Sequence, residues 1–489
     1  MPPTIRIAQS RVVLDDPHAC TDSGDVLGVF GALFDTLVRR DGGGAYGPGL
    51  ATEWTISDDA RRYTFRLREG VRFHDGDPCD AEAVRFCLER MARPDMGATL
   101  GAPGVYAQYL TGMRVETDGA HALTVTLAEP LADLFDILAY GHIVSPRAVA
   151  EAGDDLARRA VGTGPYRLEA YVPDERIEMS AVADHFDGPP EAERLVWVRG
   201  ASAAERFEAL RNGSVDIANG LDPETARALA RTPDLTGIDY VAPTAIICMF
   251  NAQNGPGRSP DLRRALNLAL DREALVERVL DGAGVPLHGF VSPVHFGADP
   301  DAEPFRQDKA EARRLLVQAG YPDGLTLQVY CPTRLPDEAQ ALVREIGEQF
   351  ADLNVRLEVH LESDRTHYAN QVRLKNIHDL CVFDSSPMSA FRVLYEKVDS
   401  RVKGSWWEGY GNPEVETLLD EARRTVDRAR RRALYRQCYR ILRDDPPWLY
   451  LYNHRRTLGF RGADPGWTMR PDGILDVRRL PGLAPETRR

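Results

Sequence analysis

Alternating apolar and polar positions mark out the first elements. In RRYTFRLREGVRF, Tyr63, Phe65 and Leu67 alternate with Thr64, Arg66 and Arg68, which predicts a strand with one buried face; ALTVTL repeats the period with Leu123, Val125 and Leu127. Between them, Val84, Cys87, Leu88 and Met91 recur at i, i+3, i+4 and i+7 behind Asp80, the spacing of an amphipathic helix with an aspartate N-cap. Thr4 to Ala8 reads as a short strand. Leu27 to Arg40 is apolar at helical spacing, so a helix is expected there, ending in a loop at DGGGAYGPG.

Further along, RFEALRNGSVDIA predicts a short helix ending at Gly213 and then a strand. Ser259 and Pro260 supply an N-cap and first-turn proline to a helix carrying Leu262, Ala265, Leu266 and Ala269, and a second helix runs from Asp271 to Leu280. Asp308 and Glu311 start another, stopped at Gly320. LTLQVYCP and NVRLEVHL are strands flanking a helix over Asp337 to Leu353, a β-α-β unit. Pro413 to Arg443 is helical with a break near Asp427, and PPWLYLY is a strand.

The chain has 489 residues, enough for about three domains, and no apolar run near the eighteen or so residues that span a bilayer. Acidic residues outnumber basic ones 74 to 60, and a net charge of −14 argues against nucleic acid as a partner. The seven cysteines are an odd, scattered set without a Cys-x-x-Cys pair, so at least one thiol stays unpaired and no metal finger is implied. MPPTIRIAQSRVVL lacks the basic and apolar regions of a secretory signal peptide. Two locations follow: the cytoplasm, or an extracytoplasmic place reached with a leader outside this numbering.

Several segments, taken in order, resemble the solute-binding proteins of peptide and nickel ABC importers, extracellular solute-binding protein family 5. They are DDPHACTD with LFDTLVRR, GLATEWTISDDARRYTFRLREGVRFHDGDPCDAEAVRF, VGTGPYRLEAY, FNAQNGPGRSPDLRRALNLALDREALVERVLDGAG, and YGNPEVETLLDEA with PPWLYLY. The resemblance implies an α/β, periplasmic-binding-protein-like two-lobed fold of type II, cluster C, with an extra inserted domain. It implies a discontinuous first lobe over residues 1–28, 162–243 and 455–489, the extra domain over 29–161, and the second lobe over 244–454. The lobes of such proteins hinge shut on a ligand.

Candidate residues follow from the same alignment. FDSSP takes the place of a segment that in peptide-binding relatives supplies an aspartate to the ligand's α-ammonium, which puts Asp384 at that position, with Ser385 beside it. The departure is that Phe383 stands near the expected tryptophan, while Ser385 and Ser386 replace an aromatic and an acidic residue; this puts an ordinary peptide ligand in question. The alternative is that Asp384 caps a local turn. Trp406, Trp407 and Tyr410 could line the same cleft or belong to core packing or a surface loop. Arg392 is a candidate for a ligand carboxylate, because a guanidinium fork matches one. His74 with Asp75 reads as a hydrogen-bonded turn, since no second histidine stands at ligand spacing. GTGPY over residues 162–166 lacks both phosphate-loop spacings and reads as a tight turn, its glycines supplying positive φ.

The expectation is a non-catalytic solute-binding component of an ABC importer, with no cofactor and no metal. Its partners would be a small-molecule or peptide ligand and the permease and ATPase subunits, and the protein itself would be a monomer. The rival is a cytosolic sensor or enzyme built on the same fold.

Overall fold

In the computed structural model, residues 4–41, 44–97, 104–153, 156–334, 336–386, 389–462 and 469–480 are described. Gly42 and Gly43 of the predicted turn cluster and Pro387 of FDSSP lie outside them. The chain is mixed α/β and divides into two compact units. The first takes the chain up to Tyr240 and again from Arg456; the second runs from Val241 to Arg455. Passage between them occurs twice, each time within a single strand, Leu235–Phe250 and Trp448–Arg461.

In the first unit, Thr4–Gln9 lies parallel to Arg194–Arg199 and to Ile217–Leu221, with Ile7 opposite both Trp197 and Ile217. All three side chains are fully buried. Arg176–Ala181 and Tyr166–Val172 extend one side of this sheet antiparallel, and residues 457–460 pair with 217–221 on the other. A separate antiparallel sheet holds Ala51–Ile56, Arg62–Leu67, Ala122–Thr126 and Arg114–Thr117 in that order. Tyr63, Phe65 and Leu67 are buried on it, as their alternation requires. Helix Ala81–Met91 buries Val84, Cys87, Leu88 and Met91, and the Asp80 carboxylate accepts from Ala83 N at 3.0 Å.

Two expectations are corrected here. The helix predicted over Leu27 to Arg40 ends at Leu33, and Val38–Arg40 is a strand paired with Tyr46–Pro48. Phe34 leaves the helix with φ −128°, and β-branched Thr36 and Val38 suit the extended backbone that follows. The glycines of GTGPY are not among the positive-φ residues. Space is what demands them: a Cβ on Gly162 would lie 2.2 Å from Leu33 O, and one on Gly164 2.4 Å from Ala32 O. His74 clamps the same loop, its Nε2 2.9 Å from Gly164 O and its N–H donating to Gly162 O.

In the second unit, the strand order is Val355–Glu362, Leu325–Pro332, Leu380–Ser385, residues 245–250, then the first half of Trp448–Arg461. The predicted β-α-β unit is present: Leu325–Pro332 and Val355–Glu362 run parallel, joined through helix Ala339–Phe350. Leu262, Leu266, Leu275, Leu315, Leu342, Ile346 and Phe350 from the flanking helices form the core with Val329, Cys331 and Val382. Each such side chain contributes about 1.5–3 kcal/mol on burial. Ser259, Asp271, Asp308 and Asp427 cap their helices through side-chain oxygens. Trp448–Arg461 runs nine residues beyond the expected PPWLYLY strand, because its second half finds a partner, 217–221, that lies far away in sequence.

Candidate ligand-binding site

Strand Leu380–Ser385 is interior to its sheet, paired on both edges by Leu325–Pro332 and residues 245–250, and side chains on both of its faces are buried. Leu380, Cys381, Val382, Phe383 and Ser385 are buried accordingly. Asp384, opposite Ile246, is the half-buried exception. Among the described residues its carboxylate has no hydrogen-bond or ion-pair partner; only its backbone oxygen is engaged, accepting from Lys397 Nζ at 3.4 Å. It caps no turn among these residues, and the capping role nearby falls to Ser389, whose Oγ accepts from Arg392 N at 3.1 Å.

The helix that Ser389 starts, Ala390–Lys397, brings two cations into the unit. Lys397 Nζ donates to Ser385 Oγ at 3.1 Å and lies 5.5 Å from the centre of the Trp448 ring. Arg392 is buried and donates from Nε to Glu396 at 3.0 Å, one turn on. Ser385 and Arg392 therefore already hold protein partners.

The aromatic residues separate into two groups. Trp406 packs against Phe383 with centroids 5.0 Å apart, and the Arg365 guanidinium carbon lies 5.0 Å from the same Phe383 ring. Trp407 donates from Nε1 to Tyr410 O at 2.5 Å. Tyr410 is buried and donates to Asp445 at 3.1 Å, while Asp445 also takes Arg263; burial, with Asp445 next, pushes the phenol far above its usual range. Trp406 is thus brought against Phe383, next to Asp384 in the chain, and Trp407 and Tyr410 join an internal network. Between the two tryptophans' loop and the rest of the unit, Lys375 donates to Ser405 O at 2.8 Å and pairs with buried Glu408 at 3.5 Å. Burial raises the Glu408 carboxyl to about 7 against the pull of Lys375.

Lys397, Arg365 and Glu408 do not stand out in the sequence. Lys397 carries one usable signal, a lysine closing a short amphipathic helix behind FDSSP. The first unit also holds a cavity of about 1050 Å³, walled by Phe34, Arg39, Tyr140, His142, Arg470 and Arg478 among others. At its wall, fully buried Asp35 accepts from Thr163 Oγ1 at 2.9 Å, Arg39 at 2.8 Å and Arg478 at 2.7 Å, with His185 Nε2 at 3.4 Å. Burial opposes its charge, and Arg478 foremost with His185 and Arg39 overcomes this, holding the carboxyl well below its usual range.

Residues 45–391 match the model of the bacterial extracellular solute-binding proteins, family 5. The chain belongs to this family. It is 27% identical over 443 residues to the glutathione-binding protein GsiB of Pectobacterium atrosepticum, covering 87% of this chain and 84% of that one. To the di/tripeptide-binding protein 2 of Pseudomonas aeruginosa it is 26% identical over 464 residues, covering 88% and 86%. The periplasmic binding protein DppA of Helicobacter pylori, solved with the peptide STSA, superposes with a TM-score of 0.80 at 22% identity over 97% of this chain and 96% of that one. The family's proteins bind solutes and have the two-lobed α/β fold that the segments imply. No helix among the described residues is long and apolar enough to cross a membrane.

Proposed function

We propose that the chain captures a small amine-bearing solute, a peptide or amino-acid-derived compound, outside the cytoplasmic membrane and hands it to the permease and ATPase subunits of an ABC importer. The Asp384 carboxylate carries this reading. It is half-buried at the end of an interior strand and has no partner of its own among the described residues. A carboxylate so placed gains a strong partner in an ammonium. Glutathione and di/tripeptides, which the names of the relatives print, carry such an ammonium.

In this reading Trp406 forms a wall of the site. Ser385 and Arg392 act from behind it, through Lys397 and Glu396, by fixing the strand end and the helix that follows. Trp407 and Tyr410 hold the loop that presents Trp406. The seven cysteines are compatible with an oxidising location: all are buried, and burial raises the Cys87, Cys331 and Cys438 thiols to about 12. Thiols held protonated in this way react slowly.

A thermal-shift screen of di- and tripeptides, glutathione and opines identifies a ligand, and calorimetry then measures it. Asp384→Asn is expected to weaken binding of an amine-bearing ligand at least about tenfold, the loss of one charge-assisted partner. Equal affinity for the two proteins removes Asp384 from the site.

A further inference from the structure

Strand Val355–Glu362 is the outer edge of the second unit's sheet. Natural edge strands are usually blunted by brevity, proline, a bulge or inward charge, because their open N–H and C=O groups recruit other strands. This one runs eight residues, VRLEVHLE, without proline or glycine, in uninterrupted register with Leu325–Pro332. Asn354 O accepts from Leu325 N and Glu362 O from Thr333 N at the two ends of the ladder. The even-numbered residues therefore spend their backbone groups on the neighbouring strand. The odd-numbered ones, Val355, Leu357, Val359 and Leu361, turn theirs outward.

Those same odd residues line an apolar groove of about 870 Å³ against helix Ala339–Phe350, with Val343 and Gly347 on the helix side. Val359 is 38% exposed and Leu361 54%, which places them among the few large apolar side chains the protein leaves in water. The even residues are polar, Arg356, Glu358, His360 and Glu362, with Glu358 and His360 each bonded to Gln328 of the neighbouring strand. Arg356 has no side-chain partner among the described residues.

We infer that this edge pairs with the same edge of a second copy of the chain, antiparallel about a two-fold axis through Val359. Any register that opposes odd residues to odd ones matches the outward backbone groups, but centring it on Glu358 sets Glu358 against itself, and centring it on His360 sets Glu358 against Glu362. Centring on Val359 sets Val359 against Val359 and Leu357 against Leu361, about six backbone hydrogen bonds in all. The same register sets the cation Arg356 opposite the anion Glu362, twice. These are the closely spaced, non-hydrogen-bonded positions of an antiparallel pair, where opposite charges help and like charges hurt. A register shifted by two residues toward Leu361 would instead oppose Glu358 to Asp364. The apolar row of each copy then continues the other's beside the groove, an isologous contact that closes on itself. The partner is thus a second copy in place of the expected monomer, and the inference does not depend on the ligand reading.

Sedimentation velocity on the full chain over a concentration series tests it. The unaltered protein is expected to show a monomer–dimer equilibrium. Arg356→Glu puts two Glu–Glu pairs across the axis and should raise the dissociation constant about tenfold, and Val359→Lys should raise it further. The exchange R356E/E362R restores the pairing and should restore the dimer. Circular dichroism verifies that each variant, altered only at this edge, is folded. A protein that stays monomeric at the highest attainable concentration overturns the inference. So does a dimer indifferent to Arg356→Glu, or one the double exchange fails to rescue.

Discussion

Replacing Asp35 by asparagine tests how far buried charge organises the first unit. The carboxylate takes hydrogen bonds from Thr163, Arg39 and Arg478 at 2.7–2.9 Å and faces His185 at 3.4 Å, with no exposure of its own side chain. Asparagine keeps one acceptor oxygen and turns an amide N–H₂ toward a guanidinium. Arg39 retains Asp187, and Arg478 retains the carbonyls of Gly31 and Phe34. Two charge-assisted bonds at about 1.5–3 kcal/mol each are weakened, less the relief of no longer burying a charge, which leaves a net loss of about 3 kcal/mol. Urea unfolding measures the loss, and hydrogen exchange should localise it to peptides of the first unit. The sign with pH follows from the depressed carboxyl: this stability is present above the ordinary aspartate pKa and is lost as pH falls toward the folded value, so the unaltered protein and the variant should converge in acid. A loss below about 1 kcal/mol at neutral pH would refute the claim that the two arginines depend on this carboxylate.

Gly164→Ala should destabilise by about 1–3 kcal/mol, because its Cβ would meet backbone at 2.4 Å, whereas Gly70→Ala meets open space and suffers only its positive φ; thermal unfolding of the two compares a steric cost with a conformational one. Glu408, whose carboxyl is raised by burial, makes the folded state lose stability as pH rises from about 4.5 through about 7, since the unfolded chain gives up that proton first. Glu408→Gln should flatten the melting temperature over that interval, and an unchanged slope assigns it to other groups.

Elements whose signals are local are legible in the amino-acid sequence. Asp80, Ser259, Asp271 and Asp308 each begin the helix their spacing announces, the break expected near Asp427 is where that residue caps a new helix, and Tyr63–Leu67 buries the face its period requires. Val38–Arg40 is not legible in this way, because a three-residue strand exists only through its partner at 46–48. GTGPY is a tight loop, as its composition suggests, but for a different cause: positive φ is a property one can guess from glycine, whereas the proximity of Leu33 and Ala32 is decided by chain far upstream. Of the site, Asp384 is proposed by its segment. Its lack of a partner is not, nor is the commitment of Ser385 to Lys397 and of Arg392 to Glu396, since rotamer and burial decide these.

The single-strand crossings at 240/241 and 455/456 set an order for biosynthesis. Among the described residues the second unit is one continuous stretch that is complete once Arg455 has left the ribosome, whereas the first must wait for residues 457–460 to reach strand 217–221 and for Arg478 to reach Asp35, 443 residues upstream. Closing so long a span late in synthesis is slow compared with the local pairing of the second unit. A nascent chain arrested when residue 460 has just emerged from the ribosome should therefore hold a finished second unit and a first unit whose Asp35 still lacks one of its two arginines.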